Sequence, residues 1–417
     1  MSKKIPVINT LSALLRWLYP GVGIKRWTFL SLLGLVLIVL GASHSFKLFK
    51  DISIGDLLFL VFGLGFVFVG VWKIISLLLE AFMPKKQKYK VADILYQRNM
   101  LSKGPKIVII GGGSGQSVLL KGFKEYTSNI TAIVTVADSG GSSGRLRDSF
   151  DILPPGDIRN CLVALAEAEP LVRDLFQYRF GAEASELEGH SFGNLFITAL
   201  TKVTGDFEEA VKASSQVLAI RGEVVPSTYE NISLVAEYED GALVRGEADI
   251  PKYGKRIRRV MLDPKDPAPS REALEAIEQA DVIFLGPGSL YTSIIPNLLV
   301  KDISGKLRTA KAPKIYICNV MTQRGETDDF SVYDHLNVLI EHTGHGIISH
   351  CIVDSTLLPG ALRAKYKEEG SKPVIISDSS QIKALGIELI YGSVVDAQDV
   401  LRHNPHKIYN LVKGNLF

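Results

Sequence analysis

Four short stretches of this chain carry the residue types that grip phosphate and sugar groups. Gly111-Gly112-Gly113-Ser114-Gly115 follows the β-branched run Ile107–Ile110. Asp138-Ser139-Gly140-Gly141-Ser142-Ser143-Gly144-Arg145 follows a second apolar run, Ile130–Ala137. Gly286-Pro287-Gly288-Ser289 follows Asp281–Leu285, and Asn319-Val320-Met321-Thr322-Gln323 ends the run from Lys314, with Glu326 and Thr327 close behind. Glycine has no Cβ, so backbone N–H groups can approach an anion closely. The start of a helix adds a dipole that favours negative charge. Each loop alone is equally explained as a tight turn. The Asp138 loop exceeds what a turn requires, being built only of Asp, Ser, Gly and Arg. The first loop departs from the G-x-G-x-x-G dinucleotide pattern, because position 116 is Gln. Asp138 stands about where that pattern places its ribose-binding acid, but it opens a second Gly/Ser loop. NAD binding is therefore the less favoured reading.

Two further segments place polar residues beside helix starts. In Leu153-Pro154-Pro155-Gly156-Asp157-Ile158-Arg159-Asn160, Asp157 either caps a helix or shares a divalent cation with Asp138. Hard cations such as Mg²⁺ take carboxylates together with substrate phosphate oxygens. Arg159 and Asn160 would then face the phosphates. In Gly189-His190-Ser191-Phe192-Gly193-Asn194, His190 and Asn194 either cap and pack the following helix or hydrogen-bond a ligand. Cys161, Cys318 and Cys351 have no metal-type spacing and read as small buried residues.

The elements that must position these loops alternate in period. Short β-branched runs read as buried parallel strands, and the segments between them read as helices. Helices are expected at Gly113–Tyr126, Asp157–Glu167, Pro170–Tyr178, Ser191–Val203 and Asp206–Ala219. Further strands are expected at Gly346–Val353 and, short, at Val374–Ser377. Residues 232–250 alternate in polarity around Asp240-Gly241, a β-hairpin signal. The fold class is α/β: a Rossmann-like, mostly parallel sheet with helices on both faces and a β-hairpin insertion. In such a sheet the carboxyl ends of the strands share one edge, so all four loops are expected at one site.

Ahead of this part stand two apolar runs. Trp27–Phe46 contains no Asp, Glu, Lys or Arg, and Leu57–Trp72 continues past Lys73 to Leu79. Each is long enough to cross a hydrocarbon core of about 30 Å. Lys3, Lys4, Arg16, Lys25 and Arg26 precede the first, and Lys85, Lys86, Lys88 and Lys90 follow the second. The positive-inside rule then places both ends and the main domain in the cytoplasm, with the protein at the cell membrane. The chain divides into a cytoplasmic segment at 1–24 (with a candidate interfacial helix at 7–19), a transmembrane hairpin at 25–82, a basic linker at 83–104 and the main domain at 105–417. A net charge of +3 from 47 basic and 44 acidic residues gives no reason to expect nucleic acid.

Six motifs in order carry a resemblance. VIIGGGSGQSVLLKGFK, VTVADSGGSSGRLR, LPPGDIRNCLVAL, GHSFGNLFI, GPGSLYTSIIPNLLV and ICNVMTQRGETDDFSVYDHL resemble the YvcK group of the CofD-like proteins, also called the gluconeogenesis factor family. The resemblance spans roughly residues 105–417, and the hairpin lies outside the common family pattern. It implies a Rossmann-like sheet with a CofD-type insertion. CofD proper is a magnesium-dependent transferase that moves a phospholactyl group from a guanylated donor to a deazaflavin. By motif position its metal-holding acids correspond to Asp138 and Asp157, although Ser139 stands where an adjacent second Asp is expected. The YvcK group instead implies binding of a UDP-sugar such as UDP-N-acetylglucosamine, with a role in cell shape and peptidoglycan synthesis during gluconeogenic growth. Partners in cell-wall synthesis or the cytoskeleton, and a homo-oligomer, go with that reading; flavin and haem do not. The expected ligand contacts are Gly111–Gly115, Asp138–Arg145, Arg159, Asn160, His190, Asn194, Gly286, Gly288, Ser289, Asn319 and Gln323. The alternative is a CofD-like transferase with Mg²⁺ at Asp138 and Asp157.

Overall fold

The computed structural model describes residues 24–48, 54–82, 98–356, 359–376, 379–397 and 401–416. The candidate interfacial helix at 7–19 and the basic flanks Lys3, Lys4, Arg16 and Lys85–Lys90 lie outside them. The chain forms two compact units, Met1–Gln97 and Arg98–Phe417.

The first unit is a pair of helices, α1 (Ile24–Leu48) and α2 (Ile54–Phe82). Both are long and apolar enough to cross a membrane. Their large side chains, including Phe29, Leu40, Phe62 and Trp72, point outward. Contact between the helices is made by small residues instead. A Cβ added at Gly34 would lie 2.7 Å from the Gly63 carbonyl, and one at Gly63 would lie 2.7 Å from the Gly34 carbonyl. Glycine thus lets the two backbones approach closely, as small residues do where helices pack backbone to backbone.

The second unit begins with helical residues 98–102, inside the stretch expected to be linker. It then runs β1 (Ile107–Gly111), α3 (Gly113–Phe123), β2 (Ile130–Val134), α4 (Gly141–Phe150), α5 (Gly156–Leu165) and α6 (Phe192–Thr204). Next come β3 (Glu223–Pro226), the insertion strands β4 (Ser233–Tyr238), β5 (Leu243–Arg245) and β6 (Ile257–Asp263), then β7 (Val282–Leu285), β8 (Lys314–Ile317), β9 (His350–Asp354) and β10 (Glu388–Gly392). A short ribbon, β11 (Val395–Ala397) with β12 (Leu401–His403), closes the series.

Seven strands form one sheet in the order β10-β9-β8-β7-β1-β2-β3, and every neighbouring pair is parallel. Both faces of β1 and β7 are buried, which is why their sequences are unbroken apolar runs rather than alternating ones. The chain leaves β1 toward β3, then returns to β7 on the other side of β1. The strand order therefore reverses between β1 and β7, where ligands bind in doubly wound sheets.

One strand expectation needed correction. Within the expected strand Val374–Ser377, residues 374–376 form no sheet strand and Ser377 lies outside the described residues: Pro373 makes one bridge to Met321, proline supplies no N–H for a ladder, and β10 holds the edge instead. The hairpin at Asp240-Gly241 is present but belongs to a three-stranded sheet, β5-β4-β6. The Asp138–Arg145 segment, read as a loop, is helical from Gly141 onward, where α4 begins.

Candidate functional site

At the β1/β7 reversal lies a cleft of about 660 Å³. Three of the four sequence loops line it: Gly112–Gly115 after β1, Gly288 and Ser289 after β7, and Asn319 and Gln323 after β8. The first two loops are in van der Waals contact, since a Cβ at Gly115 would lie 2.4 Å from the Pro287 carbonyl. The Gly111 carbonyl accepts from Asn297 Nδ2 at 2.9 Å and from the Thr135 N–H at 3.0 Å, so Gly111 anchors the loop. Gly286 is buried behind the cleft.

Gln116 explains the departure from the dinucleotide pattern. Its Nε2 donates to the carbonyls of Ile109 at 2.8 Å and Ile133 at 3.0 Å, and its Oε1 accepts from Cys161 Sγ at 3.4 Å. A buried amide thus ties α3 to the ends of β1 and β2, where a glycine would only let the helix approach.

Ser289 is held by an acid. Its Oγ donates to Glu326 Oε2 in a short bond, while Thr292 Oγ1 donates to Ser289 Oγ at 2.7 Å. Burial pushes the Glu326 carboxyl up, and bonds from Ser289, Thr292 and the Tyr291 N–H oppose that.

Asp157 is not a helix cap. It lies in the first turn of α5, whose N-cap is Pro155, and its carboxylate accepts from the Gly113 N–H. Burial first, then the Asp138 charge, push it up to about 7. Asp138 Oδ1 accepts from the Gly140 N–H at 2.8 Å, leaving Oδ2 beside Gly156. Among the described residues no group of three or more His, Cys, Asp or Glu side chains could hold a metal. The two aspartates nevertheless fit a hard divalent cation of the Mg²⁺ kind, which binds one or two carboxylates and completes its shell with water and phosphate oxygens. A buried carboxylate with a half-buried one acting on it is the chemistry such an ion neutralises.

The remaining sequence candidates do not line the cleft. Ser142 Oγ bonds His190 Nδ1 at 3.0 Å and accepts from Asn194 Nδ2 at 3.0 Å. Arg159 donates to Ser191 Oγ and, at 2.7 Å, to Asn160 Oδ1. Arg145, exposed, donates to the Glu188 carbonyl at 2.6 Å. These contacts lace α4, α5 and the start of α6 together beside the Asp138–Asp157 pair. Ser143 and Gly144 are buried at the α4 start, and Ser139 meets the insertion.

Sequence reading missed several cleft residues: Glu247 from the insertion, Ser293, Arg324, Tyr366 and His403. Burial pushes Glu247 up to about 9, with Asp138, Asp157 and Glu326 adding to it. His403 is half-buried, and desolvation of its imidazole draws it down to about 4, so it is neutral near pH 7. Only the Gly246-Glu247 pair after a strand offered a local signal; Tyr366 and His403 reach the cleft from remote segments.

Comparison with known proteins decides the family. The family model "2-phospho-L-lactate transferase CofD" matches residues 107–395. The gluconeogenesis factor of Bacillus subtilis is 50% identical over 75% of this chain and 98% of its own. The chain belongs to the gluconeogenesis factor group of the CofD family. A solved structure of a Bacillus halodurans protein superposes with a TM-score of 0.72 at 51% identity, covering 75% of this chain and all of that one. A relative from Nostoc sp. is 43% identical over 94% of this chain and 90% of its own. The family thus includes chains that match the second unit alone and chains whose match reaches into the apolar helices.

Proposed function

We propose that this protein binds a nucleotide sugar, of which UDP-N-acetylglucosamine is the type, and regulates cell shape and peptidoglycan synthesis during gluconeogenic growth. The helical pair anchors it in the cell membrane, with the α/β unit in the cytoplasm. The observation that supports this most is the cleft where strand order reverses. Backbone N–H groups at the α3 start suit a diphosphate, and the wall offers Ser289, Asn319, Gln323 and Glu247 to hydroxyls. Mg²⁺ between Asp138 and Asp157 would offset the ligand's charge. Calorimetry on residues 98–417 with UDP-N-acetylglucosamine, UDP, GDP and NAD, with and without Mg²⁺, tests the reading. Tight GDP or NAD binding with no heat from any UDP-sugar would reject it.

A transferase of the CofD kind is the second reading, favoured by the pairing of buried Asp157 with half-buried Asp138. Ser139, where the transferase pattern has a second acid, weighs against it. Turnover of a nucleotide-activated donor by the purified protein would establish it.

A further inference from the structure

The segment Gly246–Pro251 leaves the insertion sheet and is held at both ends. The Ala248 N–H donates to Ser139 Oγ at 3.3 Å, on the loop after β2. At its far end the Pro251 carbonyl lies against Gly325 so closely that a Cβ there would sit 2.0 Å away. Tyr238 Oη donates to the Ile250 carbonyl at 2.5 Å and ties the segment to β4. Between these anchors Glu247 lines the cleft. Among the described residues, its Oε2, closed off from solvent, has no hydrogen-bond partner. Buried polar atoms are nearly always paired, and an unpaired one is costly, so a ligand group is the natural partner.

The surrounding charges select which group. Asp138, Asp157 and Glu326 place further acids near Glu247, so this part of the wall supplies no cation to a phosphate. A hydroxyl suits it, because a carboxyl accepts an O–H in either protonation state. The donors at the α3 start remain for the diphosphate.

We propose that Glu247 is the residue by which the insertion recognises the sugar: its carboxyl accepts a hydrogen bond from a hexose hydroxyl. The assignment rests on the nucleotide-sugar reading above. It predicts a difference between UDP-N-acetylglucosamine and UDP, measured by calorimetry on the full chain in detergent. In Glu247→Ala, affinity for the sugar nucleotide should fall tenfold or more while affinity for UDP stays within about twofold. Glu247→Gln keeps an acceptor oxygen and should lose less. A fall shared equally by both ligands, or no change in either, overturns the assignment. Thermal unfolding checks each variant, and if Glu247→Ala does not fold, the same ratio in Glu247→Gln decides: a selective loss supports the assignment and an unchanged ratio overturns it. Wild-type protein that ignores UDP-sugars refutes the nucleotide-sugar reading itself, an outcome seen before any variant is made.

Discussion

Asp157 concentrates the chemistry of the site in one carboxyl. Burial and Asp138 hold it at about 7, whereas in the unfolded chain it ionises near the usual value of about 4. Between those values the folded chain binds the extra proton, so stability is full below about pH 4 and falls as pH rises through 7. Glu247, held at about 9, extends the decline to higher pH. Asp157→Asn should flatten the slope between about pH 5 and pH 7, a slope limited to about 1.4 kcal/mol per pH unit for one group. Thermal unfolding without divalent cations measures it. Mg²⁺ should raise the melting temperature of the wild type near pH 8, because it favours the ionised pair, and should do so far less in Asp157→Asn. Equal response of both proteins to Mg²⁺ would remove the metal from the site.

The loops after β1 and β7 act as one element because they touch. Gly115→Ala would drive a methyl into the Pro287 carbonyl, a rigid backbone neighbour. The forced shift should cost roughly 1–3 kcal/mol of stability and abolish nucleotide-sugar binding, read by chemical denaturation and calorimetry together. Ser289→Ala removes the hydroxyl that donates to Glu326. Leaving that buried acid short of a partner should cost about 1–3 kcal/mol, and Glu326→Gln in the same background should recover part of it. Arg145, by contrast, is exposed and bonded to the Glu188 carbonyl. Arg145→Ala should therefore change ligand affinity less than threefold, although its position in a Gly/Ser-rich run marked it as a phosphate contact.

At the scale of the molecule, the two units should separate. A solved relative matches 75% of this chain with its entire length, so residues 98–417 should express as a soluble, cooperatively unfolding protein, checked by circular dichroism and light scattering. Aggregation of that fragment would mean that the helices complete its core. The intact chain should need detergent. Cys161, Cys318 and Cys351 are buried, so a cysteine introduced at Lys50 should be labelled selectively by an impermeant maleimide. Labelling from the cytoplasmic side would reverse the proposed orientation.

The apolar runs, their charged flanks and the strand-ending glycines were legible because each is a local pattern. Ile107–Gly111 is buried on both faces, and the runs Trp27–Phe46 and Leu57–Trp72 lie in helices long and apolar enough to cross a membrane. Local pattern also explains the errors. Asp157 looks like a cap when only its neighbours are read, but its partner Gly113 lies 44 positions earlier. Arg145, His190 and Asn194 carry ligand-type chemistry in sequence, yet Arg145 donates to the Glu188 carbonyl, and His190 Nδ1 and Asn194 Nδ2 bond Ser142. Glu247 from the insertion, Tyr366 from the helix Gly360–Glu368 and His403 from the C-terminal ribbon meet at the cleft from segments far apart in the chain. Hydrophobic periodicity determines which segments are buried; which polar groups then face one another is decided by packing between segments far apart in the chain.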